Sequence, residues 1–320
     1  MTAHARSATA TPTTAPAWTR WAVPAAVLTT VVLWASAFVG IRAVGATFSP
    51  GPMALLRLAV GTVALTVIAL LRRSHRAGPP SRRSLLLIAG YGIAWFAGYT
   101  VLLNAAERHL DAGTAAMLVN VGPILVAVAA GALLGEGWPR RLLVGILVSF
   151  AGVMIIAADG ASGRTDRIGV VLGLITAVLY AAGVLLQKVA LRTADALTAT
   201  WLGCAVGAVV LLPFAPQAVT ELAHAPASAV AAVVYLGVFP TAVGFALWAF
   251  ALTRLNAGVL ASTTLTVPGI VVLMSWALLG ELPTPVALVG GALCLAGVAV
   301  SRRQPRAGAR PTPAVAPARG

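Results

Sequence analysis

The chain has 320 residues, of which 59% are hydrophobic and 9% charged, and a mean hydropathy of +0.94; a soluble domain has roughly a quarter of its residues charged. That balance excludes an ordinary water-soluble fold and predicts an all-α integral membrane protein with the lipid bilayer as its partner. The 22 Lys and Arg against 8 Asp and Glu leave +14, an excess that points either to nucleic acid or to membrane topology, depending on where the charges fall.

Residues 1–20 are rich in Ala, Thr, Pro and Arg with little to bury, which predicts a flexible tail. The first apolar run, Ala22 to Ile41, is longer than the roughly 7 to 15 residues of a secretory signal's apolar region and is expected to span. Nine further runs follow: Met53 to Leu71, Ser84 to Leu103, Ala112 to Leu133, Leu142 to Ala157, Ile168 to Val189, Leu197 to Leu212, Ser228 to Phe250, Ala257 to Leu279 and Val286 to Val300. Each approaches the ~20 residues that a transmembrane helix needs, so ten spans are expected, followed by a flexible basic tail at 303–320. Sorting the cations by alternating side puts 17 on one face and 5 on the other. By the positive-inside rule both termini are cytoplasmic in an inner (plasma) membrane. Six of the eight carboxylates, Glu107, Asp111, Asp159, Asp166, Glu221 and Glu281, fall on the other side. The +14 is therefore read as topology, and no nucleic-acid partner is expected. A single lysine beside 21 arginines, with abundant Ala and Gly, fits a GC-rich bacterial genome.

Displaced by 145 residues, Leu110–Val153 lands on Leu255–Val298 without a gap. The matches include Gly113 on Gly258, Pro123 on Pro268, Ala132-Leu-Leu-Gly-Glu136 on Ala277-Leu-Leu-Gly-Glu281, and Ala151-Gly-Val153 on Ala296-Gly-Val298. A displacement of 146 sets Leu33-Trp34-Ala35 over Leu179-Tyr180-Ala181 and Arg42 over Lys188. Two related halves with five crossings each must be inverted, an architecture recurrent in secondary transporters. The halves are placed at 21–158 and 168–302.

The ten-span plan, Trp34-Ala-Ser-Ala-Phe38, Leu56-Arg57 and the paired LLGE segments resemble the EamA-type branch of the drug/metabolite transporter superfamily, over about residues 22–302. The resemblance implies a carrier with a central cavity between the halves, an exporter of an amino acid, metabolite or drug, and no enzyme. One departure is Trp201, near the position where the first half has Arg57. The alternative of a different class is a membrane sensor or scaffold; the short tails and loops offer no output module for one.

Candidate site residues follow from the cost of polar groups in hydrocarbon. Pro123 and Pro268 fall midway along runs four and nine and mark helix breaks or gates. Asn120 lies one turn from Pro123, with Thr264 in the corresponding stretch. Trp34, Ser36, Trp95, Tyr99, Tyr180, Gln187 and Trp248 supply aromatic and amphipathic surface; Tyr91, Trp95 and Tyr99, four apart, read as one helical face. Arg57, about four residues into its run, either snorkels outward or turns inward to hold a substrate carboxylate. Arg42 and Lys188 end runs one and six on opposite faces, as gate cations or as interface anchors.

Cys204 and Cys294 lie in apolar runs, so no disulfide, metal or cofactor is expected. No His and no carboxylate falls within a run, so no midmembrane proton relay is expected either. Coupling could use Glu107 or His109 at the end of run three, and the reading is a weakly coupled facilitator or exchanger. Small-residue spacings such as Gly203/Gly207 serve bundle packing, so a monomer suffices while the oligomeric state stays open.

Overall fold

A computed structural model describes residues 19–71, 80–134, 140–161, 166–255 and 257–302, and the regular structure among them is entirely helical. Residues 1–18 of the first tail, the tail 303–320, Glu136 and the loop arginines Arg72, Arg73 and Arg76 lie outside the described residues, while Thr19 and Arg20 already belong to the first helix. Helices α1 (Thr19–Val44), α2 (Pro50–Leu71), α3 (Arg82–Ala106), α7 (Arg167–Ala190) and α10 (Ala227–Leu252) are each long and apolar enough to cross a membrane. A sixth crossing is available to α8 (Ala196–Val210) and α9 (Ala215–His224), which are bent by 49°. The remaining helices, α4 (Ala112–Val119), α5 (Gly122–Leu134), α6 (Arg140–Ala161), α11 (Ala257–Thr263), α12 (Val267–Leu279) and α13 (Pro285–Arg302), carry shorter apolar stretches among the described residues. Length and composition alone therefore establish five crossings, or six with the bent pair.

Helix starts use carboxylates that sequence reading places at span ends. Asp111 caps α4 through the Thr114 amide, Asp166 caps α7 through Ile168, and Asp195 caps α8 through Thr198, satisfying backbone donors that lipid cannot. At the end of α12, Gly280 takes a left-handed φ of 69° and the Glu281 amide reaches back to the Ser275 carbonyl. That closure, which only glycine adopts without strain, folds Glu281 back toward the bundle. Exposed Val144, Leu147, Phe150 and Met154 share one face of α6, an apolar stripe suited to acyl chains.

The two halves meet most intimately where α6 packs on α13. Ser149 Oγ donates to the Cys294 carbonyl at 2.8 Å, and Cys294 Sγ donates to the Ser149 carbonyl at 3.4 Å. Gly152 faces the Gly290 carbonyl, Gly290 the Gly152 carbonyl, and Gly297 the Gly145 carbonyl. Ser149 and Cys294 are 145 residues apart, as are Gly145 and Gly290, and Gly152 and Gly297. The Ser149–Cys294 bonds, and the Gly152–Gly290 and Gly297–Gly145 contacts, are thus matched by exchange partners, the signature of a local two-fold axis. Because the numbers rise along α6 as they fall along α13, these equivalent helices run in opposite directions.

The same displacement governs two π-helical turns. Gly92–Tyr99 in α3 and Gly237–Val243 in α10 begin 145 residues apart. A side chain on Gly92 would meet the Gly203 carbonyl at 2.5 Å, and one on Gly237 the Arg57 carbonyl at 2.8 Å. Helices α1 and α10 run antiparallel, since Thr30 bonds to Gly244, Trp34 to Pro240 and Ser36 to Tyr235. The far end of α10 therefore lies away from Arg42, and Lys188, which donates to the Leu252 carbonyl there, marks the opposite end of the bundle.

Candidate functional site

Two adjoining cavities lie between the halves. The first is lined by Trp34, Ala37, Phe38, Arg57, Trp95, Tyr99, Leu103, Tyr180 and Phe245; the second by Trp34, Phe38, Tyr99, Val119, Asn120, Pro123, Tyr180, Thr264 and Val267. They share the walls Trp34, Phe38, Tyr99 and Tyr180. Each measures about 30 Å³, room for one or two waters and far below the roughly 300 Å³ and more of a pocket that encloses a small molecule. A solute of amino-acid size enters only if the surrounding helices move.

Arg57 is turned inward. It is 4% exposed, its Nε donates to Thr241 Oγ1 at 2.6 Å, and its Nη1 has no partner among the described residues. Thr241 belongs to the π turn of α10, and its hydroxyl also donates to the Leu236 carbonyl, so the widened turn fixes the guanidinium's orientation. A buried guanidinium with an unanswered donor is costly, and it opens onto a cavity walled by aromatic rings. Trp34 sits 5.9 Å from Trp95, 5.2 Å from Phe245 and 4.8 Å from Trp248 between ring centroids, and Trp95 sits 5.2 Å from Tyr180. Such tilted contacts add about 0.5–1.5 kcal/mol each beyond burial and hold the walls rigid.

Asn120 ends α4. Its Nδ2 donates to the Ala116 carbonyl at 3.0 Å, which leaves Oδ1 without a partner among the described residues. The second cavity thus has an acceptor, while the first has a donor. Pro123 lies in the first turn of α5, where its missing N–H costs nothing; it opens a new helix and does not kink a continuous one. Pro268 does the same for α12, after the 3₁₀ turn Thr264–Thr266. Pro123 lines the second cavity; Pro268 is buried but lines neither.

Other expected cavity residues sit elsewhere for packing reasons. Ser36 faces α10, where its hydroxyl meets the Tyr235 hydroxyl at 2.7 Å. Gln187 is fully buried and donates to Tyr91 Oη at 3.0 Å. Trp248 backs Trp34 without reaching either cavity. Tyr91 lines neither cavity, the π turn that begins at Gly92 changing the spacing after it; its ring packs edge-on against Phe96 and Trp95. Thr241, Phe38 and Phe245 were not picked out as site residues from the sequence. Phe38 ends the Trp34–Phe38 stretch and Phe245 is a plain apolar residue; nothing short of the cross-repeat fold marks Thr241.

At one end of the bundle, Arg42 Nε bonds both carboxylate oxygens of Glu281, at 3.0 and 3.1 Å, and its Nη1 donates to the Glu107 main-chain carbonyl at 2.9 Å. At the other, Lys188 Nζ donates to the Leu252 and Leu255 carbonyls at 2.8 and 3.0 Å. Arg42 and Lys188 are 146 residues apart, and Glu107 and Leu252 are 145 apart, so each cation caps the equivalent helix end. His109 bonds Asp166 at 2.6 Å, which holds that carboxyl below the ordinary range and ties the segment after α3 to the start of α7.

Comparison with known proteins adds four findings. The model of the EamA-like transporter family matches residues 21–158 and again 167–303. The chain is 36% identical to a "Probable terminal-alkyne amino-acid exporter" of Streptantibioticus cattleyicolor, over 87% of this chain and 93% of that protein. It is 25% identical to a "Probable amino-acid metabolite efflux pump" of Salmonella typhimurium, over 86% of this chain and 92% of the relative. A solved crystal structure with 19% identity superposes with a TM-score of 0.60, covering 88% of this chain and 97% of the other, a likeness of fold.

Proposed function

Because this chain belongs to the EamA-like transporter family, we propose that it exports a small organic carboxylate with an apolar body, such as an amino acid, through the cavity between its two halves. The observation that carries this reading is Arg57: a buried guanidinium, oriented by Thr241, with a donor facing an aromatic chamber. A substrate carboxylate answers that donor with a charge-assisted bond, while Trp34, Trp95, Tyr180 and Phe245 receive the side chain. The relatives named as amino-acid exporters agree with an acid on one end of the solute. Alternating access is the proposed cycle: the broken pairs α4/α5 and α11/α12 supply movable half-helices, and the ~30 Å³ cavities represent a nearly occluded stage. The ten apolar segments are proposed as ten crossings in an inner membrane, both termini cytoplasmic.

Reconstitution in liposomes loaded with unlabelled leucine tests this. Counterflow of labelled leucine and phenylalanine is expected, with labelled putrescine, a diamine lacking a carboxylate, excluded by at least about tenfold, given about 1.5–3 kcal/mol for a hydrogen bond to a charged group. Equal entry of the diamine, or no counterflow of either acid, would overturn the proposal.

A further inference from the structure

The carrier reading leaves one buried charge unused. Glu107 immediately follows the apolar stretch Arg82–Ala106; it is 2% exposed, and neither carboxylate oxygen has a hydrogen-bond partner among the described residues. An unpaired buried carboxylate is among the costliest arrangements in a protein. Its repeat equivalent, Leu252, is buried too, so this fold accommodates an apolar side chain at the same place.

Four charged groups face Glu107: Arg42 from α1, Arg57 from α2, Asp111 at the start of α4 and Glu281 beyond α12; the Tyr99 hydroxyl is also within its field. Asp111, Glu281 and the Nε of Arg57 are committed elsewhere. Asp111 accepts from the Thr114 amide and hydroxyl, Arg57 Nε holds Thr241, and Glu281 takes Arg42. Arg42 therefore rests on the main chain of Glu107 while its charge goes to a different carboxylate. Both Glu107 and Glu281 lie in the field of one guanidinium, and the bond to Glu281 is one tie between the halves at this end, beside that from the Ser49 amide to Glu221.

We propose that Glu107 is a proton-binding site whose proton decides which carboxylate holds Arg42. With Glu107 protonated, Arg42 stays on Glu281 and this end of the bundle is closed. When the Glu107 O–H bond breaks and the proton passes to water, Arg42 moves to the new carboxylate, Glu281 is released, and α12 separates from α1. No other bond changes. Resting on the carrier reading, this makes proton uptake at the closing end the counterpart of solute exit there, a tighter coupling than the sequence predicts. Burial pushes the Glu107 carboxyl well above the ordinary carboxylate range, Arg42 and Arg57 pulling it partly back. A raised carboxyl leaves the closed form at full strength below the ordinary carboxylate pKa and weakens it as pH climbs through the raised value.

Spin labels on Ala46→Cys and Leu282→Cys, exposed positions flanking Arg42 and Glu281, report the separation in the full chain in liposomes; the native thiols are buried. Pulsed EPR is recorded from about pH 5, just above the ordinary carboxylate range, to about pH 9. The expected result is one short distance in acid and a longer population in alkali, the open-to-closed ratio rising at least about tenfold. Glu107→Gln keeps the short distance at both values and Glu107→Asp restores the response. His109 lies two residues on, so the glutamine variant assigns the effect to Glu107. Identical wild-type distances at both pH values, or a pH response that survives in Glu107→Gln, would overturn the proposal. Infrared difference spectra supply an independent reading: a carboxyl band titrating above the ordinary carboxylate range in the wild type and missing in Glu107→Gln supports it, and its absence from the wild type refutes it. Counterflow is measured separately, so a chain that switches with pH and moves no solute would remove the carrier reading and sustain this one.

Discussion

At the scale of single residues, Arg57 shows how a contact 184 positions away settles what a local pattern leaves open. Four residues into its run it has two outlets, the interface and the interior, and the sequence weighs them equally. Thr241 decides, by accepting from Nε at 2.6 Å within the buried π turn. This predicts a graded series. Arg57→Met keeps the volume and removes the charge, so uptake of labelled leucine at low concentration falls about 10- to 100-fold, the range given by a charged hydrogen bond of about 1.5–3 kcal/mol. Arg57→Lys falls between the two, because an ammonium has neither the fork nor an Nε for Thr241. Thr241→Val leaves the guanidinium present but unguided, and a KM increase of about five- to tenfold with kcat nearly constant is expected. A Met variant that transports like the wild type would exclude Arg57 from binding. The aromatic candidates show the limit of reading types: Trp34 and Trp95 line the chamber while Trp248, chemically their equal, lies behind it, a difference that side-chain chemistry does not encode.

At the scale of elements, much of the architecture was visible because its causes are local. Apolar runs mark helices and the carboxylates fall at their ends, while the structure adds that Asp111, Asp166 and Asp195 cap helix starts and that Gly280 takes a left-handed cap. The π turns were not visible. Tyr91, Trp95 and Tyr99 have the four-residue spacing of an α face, and only the approach of Gly92 to the Gly203 carbonyl reveals the extra residue per turn. The α6–α13 contact is equally tertiary, yet its reliance on small residues yields a sharp expectation. On Gly290→Ala, the new Cβ lies 2.7 Å from Ile156 Cγ1 and 2.8 Å from the Gly152 carbonyl, so the helices must part. Overpacking of this kind costs about 1–3 kcal/mol, to be read as a lower unfolding midpoint in detergent. Gly269→Ala has nothing within 4 Å of its Cβ and should be neutral or slightly stabilising, since alanine is the better helix former. Equal effects at both sites would mean that the α6–α13 packing does not hold the halves together.

At the scale of the whole molecule, the charge excess becomes a statement about two ends. Glu107, Asp111 and Glu281 gather with Arg42 at one end, and Lys188, Arg192 and Arg254 at the other, where Lys188 closes on the last turn of α10. The structure separates these ends by geometry alone, through the antiparallel run of α1 against α10, without reference to the positive-inside rule that predicted them from sequence. Geometry does not say which end faces the cytoplasm; charge does, because juxtamembrane cations are retained on that side during insertion. Combining the two gives a prediction that neither makes alone. In intact cells a membrane-impermeant maleimide should label Ala46→Cys and Leu282→Cys, exposed residues at the Arg42 end. Thr193→Cys and Thr253→Cys, exposed at the Lys188 end, should react only after permeabilisation. Labelling of one member from each pair would contradict the geometry, since both members of a pair lie at one end. Inversion of both pairs would preserve the fold and reverse its orientation, and the proton step at Glu107 would then face the cytoplasm, where uptake of a proton could not drive a solute outward.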